Sequence, residues 1–480
     1  MSRALVGLAH VAEFSRWECG AALLAEDAVR QTVNAAIRRA VTGAVPADAP
    51  LSEVIAEGDS VLVKPNFVKH ANGSRAGIEC LITSPDVLVA VVREVAAARP
   101  RRIIVGDAPL QTADFSRIMT RELADRLARA AAGCELAIAD FRRTVVANED
   151  LAGGVQRDVR AMSDYVLFDM GCDSLLEPVT RGRSRFRVTN YDPQLMRSAH
   201  GPGRHSYLIA REALEADVVI SVPKLKTHRK VGMTCCLKNL VGINGNKDYL
   251  PHHRLGGTRI GGDCYPGASP FKLASELFLD TANRHLGEAR RYSFYKSLAR
   301  LFLKLGRRFG GCEFEGSWYG NDTCWRMCLD LNRILRYGRL DGTLAPRPVR
   351  NVFCVVDALV AGHGEGPLEP VPLELGCILA GRCPASTDWT AALLLGMQPA
   401  RVPLLANAFG RFPYPVTTYS SHDIEIHAGP CSDPIASYGK SATLPSGWLG
   451  YEQRLASAWQ SPCHTGRRKW QPLAAERAPS

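Results

Sequence analysis

Lysine is scarce in this chain and unevenly placed. Five of its 12 lysines, Lys224, Lys226, Lys230, Lys238 and Lys247, fall within 24 residues, where even spacing would put fewer than one. Arginine supplies 47 of the 59 basic residues, so generic positive charge is carried by arginine and a position that stays lysine is informative. An ammonium is a compact, titratable point charge that can act as base, Schiff-base former or phosphate ligand. The bland alternative is chance or a solvated charged loop. It is disfavoured because Lys224 and Lys226 directly follow the apolar run 218–222.

In parallel α/β sheets, ligands bind outside the carboxyl ends of the strands. If the chain stays extended past Pro223, residues two apart share a face, and Lys224, Lys226 and His228 point together. Two ammonium groups beside an imidazole make an anion site, and their repulsion lowers at least one lysine pKa. Catalytic roles are therefore expected for Lys224, Lys226, His228 and Lys238, and substrate contacts for Thr227, Thr234, Asn239, Gly242 and Lys247. A helical turn would put Thr234 and Lys238 on one face. Gly242 and Gly245 would end that turn and allow close backbone approach to a ligand. The spacing Gly242-x-x-Gly245-x-Lys247 is not a P-loop.

A second group repeats the pattern. Lys64 and Asn66 follow one apolar run, Asp107 another, and Ser84 opens a helix whose N–H groups favour an anion. The alternative is equally open: a buried Lys64–Asp107 pair, with Ser84 only a cap. Downstream, Asp357 follows a strand, and a glycine loop containing Gly364 could form a backbone nest. It lacks the helix of a dinucleotide fingerprint, so NAD and FAD are not indicated. Asp388 is either a first-turn partner of its helix or a site residue. Asp322 is read as a helix cap. His228, His252 and His253 could hold a divalent metal, although their spacing matches no standard site. Cys324 and Cys328 lie one turn apart without a second pair, and no Cys-x-x-Cys occurs, so a self-contained iron–sulfur cluster is not expected.

These residues need a scaffold, and the chain alternates strand and helix to build one. Strands are expected over 60–63, 102–105, 135–140 and 218–222, with helices over 85–98, 115–132 and 207–216. Continuous apolar strands between helices indicate an α/β fold of mostly parallel sheets covered by helices. Helices over 266–283, 292–309 and 323–337 form an insertion, and strands over 352–356 and 376–380 with a helix over 386–395 form a second α/β unit. The expected organisation is thus an N-terminal α/β unit (1–255), a mainly helical insertion (256–345), a C-terminal α/β unit (346–450) and a disordered tail (451–480). A length of 480 residues suits several packed units.

Composition narrows the function classes. Net charge is +11, but the basic residues are dispersed without a nucleic-acid recognition motif, so nucleic acid is not the expected partner. The opening residues lack a sustained apolar run, no bilayer-length apolar stretch occurs, and the 15 scattered cysteines suit a reducing compartment. A cytoplasmic protein handling a small anionic molecule is expected. One segment, Phe294 to Phe309, has apolar residues at helical spacing among basic ones; it either packs on a core or lies on an anionic membrane. Oligomeric state is not legible.

Taken in order, Val63-Lys64-Pro65-Asn66, Thr83-Ser84-Pro85, Val105-Gly106-Asp107, the run from Ser221 to His228, Leu237 to Gly242, Val356-Asp357, Gly364 to Pro367, Ile378 to Gly381 and Asp388 with Leu395-Gly396 resemble the family called domain of unknown function 362. The resemblance spans nearly the whole chain apart from the helical middle and the tail. Some relatives carry added ferredoxin-like cysteine clusters; this chain has none, so an iron–sulfur association is not carried over. The family's layout is distantly similar to the two-domain nickel-pincer lactate racemases, an analogy of layout alone. A metal-linked redox accessory and a non-catalytic binding protein at a membrane surface remain the alternatives to an enzyme.

Overall fold

The computed structural model describes residues 3–11, 26–41, 48–146, 156–180, 185–189, 191, 193–429 and 433–453. Its centre is a ten-stranded mixed sheet among those residues. The strands are β1 (Ala4–His10), β2 (Ser60–Pro65), β3 (Arg102–Asp107), β4 (Glu135–Asp140), β5 (Val218–Val222), β6 (Lys224–His228), β7 (Gly232–Thr234), β8 (Asn351–Glu365), β9 (Glu369–Gly381) and β10 (Ile424–His427). Their order is β10-β1-β9-β8-β5-β2-β3-β4, with β6 added along β8 and β7 along β6. From β8 through β4 every pairing is parallel, and the β8–β9 and β9–β1 pairings are antiparallel.

Burial on both faces explains the unbroken apolar runs. Alternate residues of each central strand enter different cores: Val61, Val63, Ile103, Val105, Val218 and Ile220 face one way, Leu62, Ile104 and Val219 the other. The first face is covered by α1 (Glu26–Ala40), α2 (Pro85–Ala97) and α3 (Arg121–Ala130). The second face meets a three-stranded sheet containing Tyr165–Asp169 and Arg204–Ala210. It also meets the short α4 (Cys236–Asn239) and two helices met further along the chain.

Three sequence expectations are corrected. The helix read over 115–132 is two: Thr120 interrupts it, its Oγ1 accepting from Leu123 N at 3.2 Å to cap α3. The helix read over 207–216 is a strand, Arg204–Ala210, paired with Tyr165–Asp169, followed by a five-residue helix. The apolar Tyr207-Leu208-Ile209 took the conformation its tertiary partner offered. The glycine loop around Gly364 is the continuation of β8, hydrogen-bonded to β9 as far as Glu365 opposite Glu369.

The helices of the middle segment part company. α5 (Pro270–Asn283) and α6 (Ala289–Phe309) pack on each other, Phe278 stacking on Phe302 at 5.3 Å. α7 (Cys324–Tyr337) instead buries Trp325, Met327, Leu331 and Leu335 in the core beneath the sheet, which α8 (Pro384–Leu394) also enters. Because β8 pairs with β5, the strands read as a second α/β unit lie in the same sheet as the first. Of the tail, residues 451–453 form a single turn with Tyr451 buried; its remainder, 454–480, lies outside the described residues. No helix among the described residues is long and apolar enough to cross a membrane.

Candidate functional site

The carboxyl ends of β2 and β3, with β6 and β7, open onto a cavity of about 340 Å³. Its lining includes Asn66, Asp107, Lys226, His228, Thr234, Lys238, Asn239, Gly242, Lys247 and His252. β2 delivers Asn66 and β3 delivers Asp107. β6, which begins after Pro223, delivers Lys226 and His228, and the return strand β7 places Thr234 opposite Lys226. Lys238 comes from α4, whose first N–H groups, those of Cys236 and Leu237, are held by the Asp388 carboxylate at 2.7 and 3.0 Å. Thr234 and Lys238 therefore meet in the cavity from a strand and a helix, not from one helical face.

Electrostatics set these cations apart. Lys226 is buried, its Nζ hydrogen-bonded to the Leu81 carbonyl, and burial reinforced by Lys224 lowers its pKa to about 7. Lys247 donates to the Ala108 carbonyl at 2.7 Å, and burial likewise brings it to about 7, with Asp107 opposing and Lys238 adding to the fall. An amine held so far below the ordinary lysine range suits a base or nucleophile. Lys238 makes no ion pair or hydrogen bond among the described residues, and its charge reaches Lys226, Lys247, His228 and His252.

The two imidazoles differ in tautomer. His228 Nδ1 accepts from Lys230 N at 3.0 Å, so its proton sits on Nε2. His252 Nδ1 lies 2.7 Å from the Leu250 carbonyl, an acceptor only, so His252 carries its proton on Nδ1 and leaves Nε2 bare. Burial first, then Lys238, pushes both pKa values well down, and both rings are neutral. The lining therefore offers one imidazole N–H and one imidazole lone pair. Two polar atoms of lining residues, Asn66 Oδ1 and Thr234 Oγ1, are buried with no hydrogen-bond partner among the described residues, which is uncommon in a folded interior.

Of the other expected site residues, Lys64, Ser84, Lys224, Thr227, Asp357 and Gly364 lie outside the cavity, and each has a partner that explains why. Lys224 leaves the same strand as Lys226, but the register against β8 slips between them, and Lys224 Nζ meets Asp357 at 2.6 Å with both groups buried. Asp357 also accepts from Ser84 N at 2.8 Å, so the amino end of α2 already holds a carboxylate. Lys64 is buried against Asp107 at 2.8 Å, the pair alternative. Thr227 faces away and donates to the Gly364 carbonyl at 2.8 Å, which ties β6 to β8 and leaves no nest there. Gly242 is needed because its turn passes over the Lys64–Asp107 pair: an added Cβ would stand 1.9 Å from Asp107 Oδ1. Asn239 touches the cavity while bracing it, donating to the Lys64 carbonyl and to Ser221 Oγ at 3.0 Å each.

His228, His252 and His253 do not converge on one point. His253 belongs to a buried group behind the cavity, 3.3 Å from Arg187, which itself pairs with Glu276 and Asp280 at 2.6 Å each. Donor atoms do come together at Cys235, Cys236 and Asp388 and at His253, Cys264 and Glu276, all buried. In the second group Arg187 already supplies the cation. Lys230, Tyr191, Glu315 and Ser317 also line the cavity. Lys230 carried a signal, membership of the lysine cluster. Tyr191, Glu315 and Ser317 sit in segments without periodicity and carried none.

A family model described as Domain of unknown function (DUF362) matches residues 61–170 and 178–393. A curated thylakoid-associated protein of Synechocystis sp. is 27% identical over 356 residues, covering 74% of this chain and 69% of that protein. Two solved structures also align. The lactate racemase apoprotein from Thermoanaerobacterium thermosaccharolyticum is 10% identical, covers 77% of this chain and 55% of its own, and has a TM-score of 0.28. A Thermotoga maritima protein from a structural genomics consortium is 9% identical, covers 77% and 57%, and has a TM-score of 0.29. The chain spans little more than half the length of either, and at these TM-scores the likeness carries nothing about the site.

Proposed function

The chain belongs to the family Domain of unknown function (DUF362), and on that premise we propose that it is an enzyme acting on a small anionic substrate, a carboxylate or a phosphate, held in the lysine-lined cavity. The observation that carries this reading is Lys238: an ammonium with no ion pair or hydrogen bond among the described residues, beside two lysines whose pKa values are about 7, in a cavity lined by two residues whose side chains each have a buried oxygen unpartnered among the described residues. An anion bound there gains charge-assisted hydrogen bonds and relieves the repulsion among the cations. Lys226 as the free amine is the base or nucleophile. His228 donates through Nε2–H, and the bare Nε2 of His252 accepts, so a proton can leave one side of a substrate and return at another. Asn66 and Thr234 orient the substrate's remaining polar groups.

The test pairs binding with turnover. Inorganic phosphate and small carboxylates are titrated by calorimetry, and a pool of anionic metabolites is screened for conversion. Lys226→Ala and His228→Ala are expected to abolish conversion while unfolding remains cooperative. Full activity in both variants would sink the enzyme reading.

A second reading, a metal-linked redox accessory, draws on Cys235, Cys236 and Asp388, whose donor atoms lie within 4.8 Å of one another. Against it, burial raises the pKa of both thiols and the Asp388 oxygens already accept two backbone N–H groups. Elemental analysis of protein purified without oxygen decides: stoichiometric metal lost in Cys236→Ala would favour this reading. As for place, we put the chemistry in the cytoplasm, where the free thiols suit a reducing medium. The thylakoid association of the Synechocystis relative supports a position at a membrane surface.

A further inference from the structure

We propose that α6 is a docking element for an anionic lipid surface, contacting it through Phe294, Leu301, Phe309 and the basic side chains beside them. The 21 residues of this helix include seven Lys or Arg and no Asp or Glu. Arg300, Lys304, Arg307 and Arg308 make no ion pair among the described residues. The neighbouring helix does not neutralise them either, because the α5 carboxylates Glu276 and Asp280 are buried against Arg187.

Helical spacing shows which side is free. Tyr292, Ala299 and Gly306, seven residues apart, are the buried edge. Gly306 is where α6 crosses α5: an added Cβ would stand 2.7 Å from Lys272 Cγ. Phe294, Leu301 and Arg308 share the same spacing displaced by two residues, which turns them about 200° away from that edge. Phe294 is 60% exposed and Leu301 53%, while Phe309 at the end of the helix is 71% exposed. Leu277 on α5 adds to the same hairpin's exposed apolar groups at 43%. Large apolar side chains held in water beside cations are the pattern of a helix lying in a headgroup layer. The charge selects the occupant: an uncharged apolar groove would not need the cations, and a bilayer of neutral lipid would not use them.

The experiment is co-sedimentation of the full chain with vesicles of phosphatidylcholine alone and of phosphatidylcholine doped with phosphatidylglycerol, at low and high salt. Pelleting with the doped vesicles, weakened by salt and absent with phosphatidylcholine alone, is expected. Arg300→Gln with Lys304→Gln should lower the partition coefficient about 25-fold, at about fivefold for each charge removed. Phe294→Ser with Leu301→Ser should lower it at least tenfold without moving the thermal melt, since neither side chain supports the core. No pelleting with doped vesicles overturns the proposal, as does pelleting that neither double variant changes. A wild-type dimer that Phe294→Ser with Leu301→Ser converts to monomer, without vesicle binding, would mean that a second copy covers this face and would also overturn it.

Discussion

Lys224 and Lys226 leave one strand two residues apart, alike in charge and length, and end in opposite surroundings. Lys224 meets a buried carboxylate at 2.6 Å; Lys226 meets a carbonyl and two further lysines. The same contrast holds between Lys64, locked to Asp107, and Lys247, which faces the cavity. What separates the two classes is whether a carboxylate arrives from a neighbouring strand. β3 brings Asp107 to Lys64 and β8 brings Asp357 to Lys224, whereas Lys226 and Lys247 make no ion pair among the described residues.

The largest expected effect breaks the structural side. Asp357→Ala leaves Lys224 buried without a counter-charge and strips the carboxylate from the start of α2. Unfolding by urea should show a loss of about 3–5 kcal/mol. Lys226→Met should leave stability at neutral pH unchanged or raised, since it removes a buried amine whose proton the unfolded chain holds more tightly. Equal losses in the two variants would erase the distinction between the pairs.

The next effect is on ligand binding. Lys238→Met should weaken phosphate binding at least tenfold in calorimetry, about 1.4 kcal/mol or more, because it removes the only cavity lysine without a protein partner among the described residues. An unchanged affinity would move the anion site elsewhere.

A smaller effect is expected with pH, and its sign follows from the depressed lysines. In the folded chain Lys226 and Lys247 titrate near 7, against an ordinary value of 10.5. Between those limits the unfolded chain holds more protons, so the contribution of these groups to stability rises with pH from about 7 to about 10.5. Anion affinity should run the other way and fall severalfold as pH rises through 7, with proton uptake on binding visible as a buffer-dependent heat. Lys226→Met should flatten both curves in part.

The smallest effect sharpens the role of the strand pairing. Thr227→Val removes one hydrogen bond to the Gly364 carbonyl and should cost about 1 kcal/mol in urea unfolding, leaving phosphate binding intact. A binding defect in this variant would return Thr227 to the site.

Much of the scaffold was legible because its signals are local. The strands over 60–65, 102–107, 135–140 and 218–222 show themselves by length and continuous apolarity, and Pro85 after Ser84 marks a helix start whatever packs nearby. The failures were of another kind. Tyr207-Leu208-Ile209 suits either a strand or a buried helix until Tyr165–Asp169 lies beside it. The glycines around Gly364 resemble a loop until β9 supplies hydrogen-bond partners. At the site, lysine scarcity located the cluster, yet nothing in the spacing of Lys224 and Lys226 separates them. The slip in register opposite β8 does that.

By itself, then, the sequence determined the class of fold, the segment carrying the cations and the end of the strands where they emerge, because apolar periodicity and lysine retention are properties of short stretches of chain. Only the tertiary structure decided which lysines are neutralised. That outcome depends on carboxylates 43 and 133 residues away along the chain from Lys64 and Lys224, Asp107 and Asp357, and on a low-dielectric interior. Burial lowers the pKa of Lys64 as it does that of Lys226, and a facing carboxylate opposes the fall; which lysines meet one is a matter of distant chain segments.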